Sequence, residues 1–228
     1  MITINDALQI MLTKEEVISC LKKTRQRNFI DNLRIRHANV QFDCKLRGYV
    51  GELAIRKWFM QKGIALDATN YLEDGNNMDI DFLAKGKNIE LKTSLIPDSD
   101  GDLSNVIAKR DIKLIKRGAD NIEQLRGDIH LQIYYNQRTT KKDNWLKSQT
   151  IDLLGDDEYL YNSFQAKCYL NSIFFVAWID KPSLVKKINS LPVNQRCWSF
   201  RNSQRLFWNC KLHQSKKPVE IINYLNSL

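Results

Sequence analysis

The apolar positions along this chain change period several times, and each change predicts an element. Val17, Ile18 and Leu21 recur at helical spacing behind Thr13 and Glu16, a pair spaced as a capping box, so a short helix opens there. From Cys44 to Lys62 the residues Leu46, Val50, Leu53, Ala54 and Trp58 form one apolar stripe, which Gly63 ends; this predicts the best-defined helix. Gly48 and Gly51 lie inside it, and a helix tolerates glycine where something must approach its backbone closely, either a sheet or a DNA strand. The period then falls to two. Ile64 to Thr69, Met78 to Ala84 and Lys87 to Thr93 read as strands, with Lys85-Gly86 a hairpin turn between the last two. Symmetric closure of that turn pairs Ala84 with Lys87 and Phe82 with Ile89. It then sets Asp81 opposite Glu90 and Asp79 opposite Lys92, so these four polar residues share one sheet face.

Beyond a polar loop at 97–102, Ala108, Ile112, Ile115 and Ala119 recur as one face of a helix whose remainder is crowded by Lys109, Arg110, Lys113, Lys116 and Arg117. Ile129, Leu131, Ile133 and Tyr135 alternate with His130, Gln132 and Tyr134 in a further strand, and Ile173 to Ile179 reads as a buried one. Interleaved helices and strands predict an α/β or α+β fold, a mixed central sheet flanked by helices. One compact domain is expected, with an N-terminal helical region at 1–43, a core at 44–135 and a C-terminal extension at 136–228.

Charge narrows the partner. Thirty-five Lys and Arg against 26 Asp and Glu give +9 over 228 residues, which favours a polyanion. No run of 18 apolar residues occurs and the N-terminal stretch carries an acidic residue where a signal peptide is positive, so a cytoplasmic protein is expected. The five cysteines are scattered without a CxxC pair and read as free thiols; Cys197, Cys210 and His213 lack a fourth zinc ligand. His37, His130 and His213 suggest no nucleophilic triad.

The hairpin carries the candidate chemistry. Hydrolysis of a phosphodiester needs an activated water, a cation to take up charge at phosphorus and a proton source for the leaving oxygen. Asp81 and Glu90 are carboxylates of the kind that hold Mg²⁺. Lys92 can set its ammonium beside the water or the phosphate, and Glu52, from the preceding helix, can complete the site. The same residues could instead form a solvated hairpin face of cross-strand ion pairs, with Glu52 paired to Arg56. The order of the parts favours the catalytic reading.

In that order, over residues 45–135, the chain resembles the PD-(D/E)xK superfamily of restriction-like endonucleases. Gly48-Tyr49-Val50-Gly51-Glu52 looks like the glycine-rich, glutamate-bearing first helix of archaeal Holliday-junction resolvases and mismatch-repair nicking enzymes, and Glu90-Leu91-Lys92-Thr93 also looks like the latter. The superfamily's proline before the aspartate is missing: Met78 precedes Asp79 and Ile80 precedes Asp81. The choice of metal-binding aspartate therefore stays open, with Asp81 favoured because it faces Glu90.

The resemblance implies a restriction endonuclease-like core and a Mg²⁺-dependent endonuclease, with Mn²⁺ able to substitute. Asp81, Glu90, Asp79 and Glu52 would supply metal ligands, and Lys92 would act in catalysis. The long extension suggests a type II restriction enzyme reading double-stranded DNA as a homodimer. A structure-specific or nicking repair nuclease, and a DNA-binding protein with a degenerate core, are the alternatives. Lys109, Arg110, Lys113, Lys116 and Arg117 would grip phosphates, while Arg201 and Arg205, set among aromatics, are of the type that reads base edges.

Overall fold

The computed structural model describes residues 1–26, 36–68, 80–116, 118–165, 170–200 and 205–228. In chain order it contains β1 (Leu8–Met11), α1 (Lys14–Gln26), α2 (Ala38–Gln61), β2 (Asp67–Ala68), β3 (Phe82–Ala84), β4 (Lys87–Ile96), α3 (Leu103–Lys109), β5 (Leu114–Ile115) and β6 (Ile129–Arg138). There follow α4 (Thr139–Ser148), α5 (Asp157–Gln165), β7 (Ser172–Asp180), α6 (Lys181–Asn189), β8 (Cys197–Ser199), β9 (Leu206–Trp208) and α7 (Glu220–Asn226).

A mixed six-stranded sheet runs β1-β7-β6-β4-β3-β2. The β4/β6 pair is parallel and every other pair antiparallel. The chain is thus α/β with helices on its sheet, as the interleaved pattern predicts. The extension is not an appendage, because β7 pairs with β6 and joins β1 to the sheet.

Local chemistry sets the first elements. Glu16 accepts from the Thr13 amide at 2.7 Å and donates its own amide to the Thr13 hydroxyl at 3.3 Å, the reciprocal capping box the sequence predicts. α2 starts earlier than the stripe suggests, since the His37 ring caps the Asn39 amide and Val40 is already buried. It stops at Gly63, whose φ of +75° is open to glycine. A β-carbon on Gly51 would lie 2.6 Å from Cδ1 of Ile133 and 2.7 Å from Cγ2 of Thr93. Gly51 therefore lets α2 press onto the sheet, while Gly48 has open space around it.

The two faces of the sheet differ. Ile89, Leu91 and Leu95 of β4, with Ile129, Leu131, Ile133 and Tyr135 of β6, pack under α1, α2 and α5. The opposite face carries Glu90, Lys92 and Ser94 beside His130, Gln132 and Tyr134. It is covered by α3, α6 and a three-stranded sheet in the order β5-β9-β8.

That second layer corrects one expectation. The predicted basic helix spanning 108–119 ends at Lys109, and Leu114 and Ile115 pair instead with Trp208 and Phe207. Burial of Ile112 and Leu114 in the small sheet outweighs their helical spacing. His130, Gln132 and Tyr134 are buried as well, because β6 is covered on both sides.

Candidate active site and basic cleft

The hairpin closes as its turn dictates. Lys85 and Gly86 have φ of 50° and 72°, both positive, and Ala84 pairs with Lys87 and Phe82 with Ile89. The ladder then ends. The Asp81 amide donates to the Ile89 carbonyl at 2.9 Å, and Oδ2 of Asp81 accepts from the Leu91 amide at 2.6 Å. A side-chain oxygen thus takes the place of a strand carbonyl, and it fixes the Asp81 carboxylate against the backbone between Glu90 and Lys92. Asp79 lies outside the described residues.

Glu90 is 3% exposed. Its Oε2 meets Nδ1 of His130 at 2.8 Å, and its Oε1 meets Nζ of Lys92 at 2.5 Å. Burial alone would raise the pKa of this carboxyl, but the His130 bond and the Lys92 charge outweigh it and hold the pKa down to about 2. Glu90 is therefore an anion at neutral pH. The His130 ring rests on Gly127, where a β-carbon would come within 2.7 Å of its Cε1. Gln132 braces the next rung: its Nε2 donates to the Lys92 carbonyl and the Ser94 hydroxyl, each at 3.0 Å, and its Oε1 accepts from the Lys113 amide at 3.1 Å.

Glu52 stands on α2, over the apolar face, with Lys23 at 3.9 Å; Glu90 and Lys92 project from the other face. Among the described residues, no group of three or more His, Cys, Asp or Glu side chains converges. Asp81 and Glu90 remain the pair able to serve a hard divalent cation. Oδ2 of Asp81 accepts from the Leu91 amide, and both oxygens of Glu90 are engaged, one by His130 and the other by the Lys92 ammonium, which marks a position where positive charge is stabilised. A hard ion that keeps several waters needs only one or two such carboxylates.

A cleft of about 1030 Å³ opens beside the C-terminal half of β4. Its lining starts at Thr93, one residue past Lys92, so it adjoins the carboxylates without containing them. Lys109, Arg110 and Lys113 line it together, although only Lys109 belongs to a helix. Arg110 is held by Asp100 through two bonds of 2.6 Å. Lys116 instead lies over the Trp208 ring at 5.5 Å. Arg205 immediately precedes β9, while Arg117 and Arg201 lie outside the described residues.

Several neighbours carry no sign in the local sequence. His130 reaches Glu90 only through the parallel register of β4 and β6. Arg36, Arg47, Trp198 and Phe200 also line the cleft. Beneath it, buried Asp43 meets Nε of Arg47 at 2.9 Å and Nζ of Lys142 at 2.6 Å. Among the described residues, no helix is long and apolar enough to cross a membrane. Compared with known proteins, the chain matches no family model, no curated protein and no solved structure.

Proposed function

We propose that this protein is a Mg²⁺-dependent DNA endonuclease with a restriction endonuclease-like core, acting as a type II restriction enzyme on duplex DNA. The observation that carries the reading is the Asp81 carboxylate bonded to the backbone between Glu90 and Lys92, themselves an ion pair, where the β3/β4 ladder ends. The element order supports it as well: a helix, an antiparallel β2-β3-β4 meander, then β6 parallel to β4 after α3.

In this reading Asp81 and Glu90 hold the metal, and His130 keeps Glu90 oriented and ionised. The bound cation would offset charge at the phosphorus and make a water more acidic. Lys92, already beside Glu90, can shift toward the substrate phosphate or its attacking water. Glu52, one layer away, contributes to the field of the site, so Glu52→Ala should reduce cleavage without abolishing it. A homodimer would bring one such site to each strand of a palindrome.

The test is digestion of a long duplex of mixed sequence with Mg²⁺, Mn²⁺, Ca²⁺ or chelator. Discrete fragments with Mg²⁺ or Mn²⁺, none with chelator, and loss of cutting by on the order of 10²-fold or more in Glu90→Gln and Lys92→Ala are expected. Cutting that survives chelator, or that Glu90→Gln leaves intact, would sink the proposal. Cleavage of branched DNA alone would move the activity to a structure-specific nuclease.

A further inference from the structure

We infer that the cleft beside β4 receives an unpaired nucleotide of DNA, its base against Phe200 and its phosphate against Arg36 and Arg47. This deepens the nuclease reading, on which it rests only for the choice of DNA.

Size is the first reason. A cleft of about 1030 Å³ is of the size that takes a single small ligand such as a nucleotide. The second is the aromatic wall. Phe200 is 45% exposed and its ring is backed edge-on by Trp198 at 5.0 Å and Phe207 at 5.5 Å, while those two rings stack on each other at 4.7 Å. A solvent-facing ring fixed by two others is a rigid platform of the kind on which bases stack.

The third reason is the cationic wall. Nη1 of Arg36 and Nη2 of Arg47 both approach Sγ of Cys44, at 3.0 and 3.3 Å, so two guanidinium groups meet over one sulfur. Below them lies Asp43 and beside them Asp143, so that Arg36, Arg47 and Lys142 are three cations against two carboxylates. Planar guanidinium groups brought together in this way suit a phosphate. An aromatic platform and a pair of guanidinium groups lining one cleft match a nucleotide better than they match the outer backbone of a duplex.

The test measures binding in chelator, where no cleavage occurs. Three fluorescein-labelled probes of equal length are used: oligo-dT, a duplex with one mismatched pair and a fully paired duplex. Phe200→Ala should weaken oligo-dT, the mismatched duplex or both by about fivefold or more, with Phe200→Trp restoring the affinity and the paired duplex least affected. Arg36→Gln should weaken the same probes and flatten their salt dependence. A loss confined to oligo-dT assigns the cleft to a free strand, and one confined to the mismatched duplex assigns it to a base turned out of the helix. No loss on any probe, or an equal loss on all three, overturns the inference. Either result leaves the metal-dependent cleavage assay to decide the nuclease reading by itself.

Discussion

Asp43 and Glu90 are both buried carboxylates held by two basic side chains, yet they stand in different surroundings. Asp43 is enclosed: Lys142 of α4 is buried beneath the cleft with it, and Arg47, one turn further along α2, is largely buried and reaches the cleft wall with its edge. Burial pushes its pKa up, but the two cations outweigh that and hold it below the usual carboxylate value. Glu90 has the enclosed His130 on one oxygen, whereas on the other it has Lys92, whose side chain is 21% exposed. One carboxylate is a knot and the other has an open side. Burial and a depressed pKa therefore do not by themselves mark a catalytic group; the partner that can move aside does.

The largest effect that would test this contrast is at the knot. Asp43→Ala leaves two buried cations without their counter-charge and should lower stability by about 3–5 kcal/mol in urea unfolding. A midpoint near that of the wild type would mean the cluster relaxes into water and is no knot.

Glu90 should show itself through pH. Its folded-state pKa lies near 2, below the ordinary 4.5, so its contribution is complete above 4.5 and is lost as pH falls toward 2. That difference corresponds to roughly 3 kcal/mol. Glu90→Gln lacks this contribution at every pH, so its unfolding free energy should lie below the wild type at neutral pH and converge with it near pH 2. Parallel pH curves for the two proteins would show that Glu90 is not held as an anion in the folded state.

The elements that the sequence made legible are those fixed by neighbours along the chain. The Lys85-Gly86 turn sets the register of the hairpin, and the stripe from Leu46 to Trp58 defines the buried side of α2, each within a few turns or rungs. The hairpin register runs only as far as Phe82 with Ile89; the expected rung of Asp81 with Glu90 does not form, because the Asp81 carboxylate takes the Leu91 amide instead. What stayed hidden depends on distant partners. The parallel pairing of Glu90 with His130 requires a crossover through α3, and nothing near either residue encodes it. The helical spacing of Ile112 and Ile115 misled because Leu114 and Ile115 find their strand partners only in β9. The cover over His130, Gln132 and Tyr134 is hidden for the same reason, since α3, α6 and the small sheet come from separate parts of the chain.

The smallest expected effect separates two neighbours on the cleft that composition treats alike. Lys109 ends α3 with an exposed side chain, whereas Arg110 spends its guanidinium on both oxygens of Asp100 and on the Ser99 hydroxyl at 2.8 Å. If Lys109 grips a phosphate, Lys109→Ala removes one contact and lowers the log–log salt slope of duplex binding by roughly one unit, with little change in stability. Arg110→Ala instead releases the loop that carries Asp100. Because the pair is partly exposed, the loss should be about 1 kcal/mol or less in urea unfolding, with a salt slope close to the wild type. Equal changes of slope in the two variants would mean that Arg110 leaves Asp100 when DNA binds, and that the ion pair stores the arginine for the substrate rather than fastening the loop.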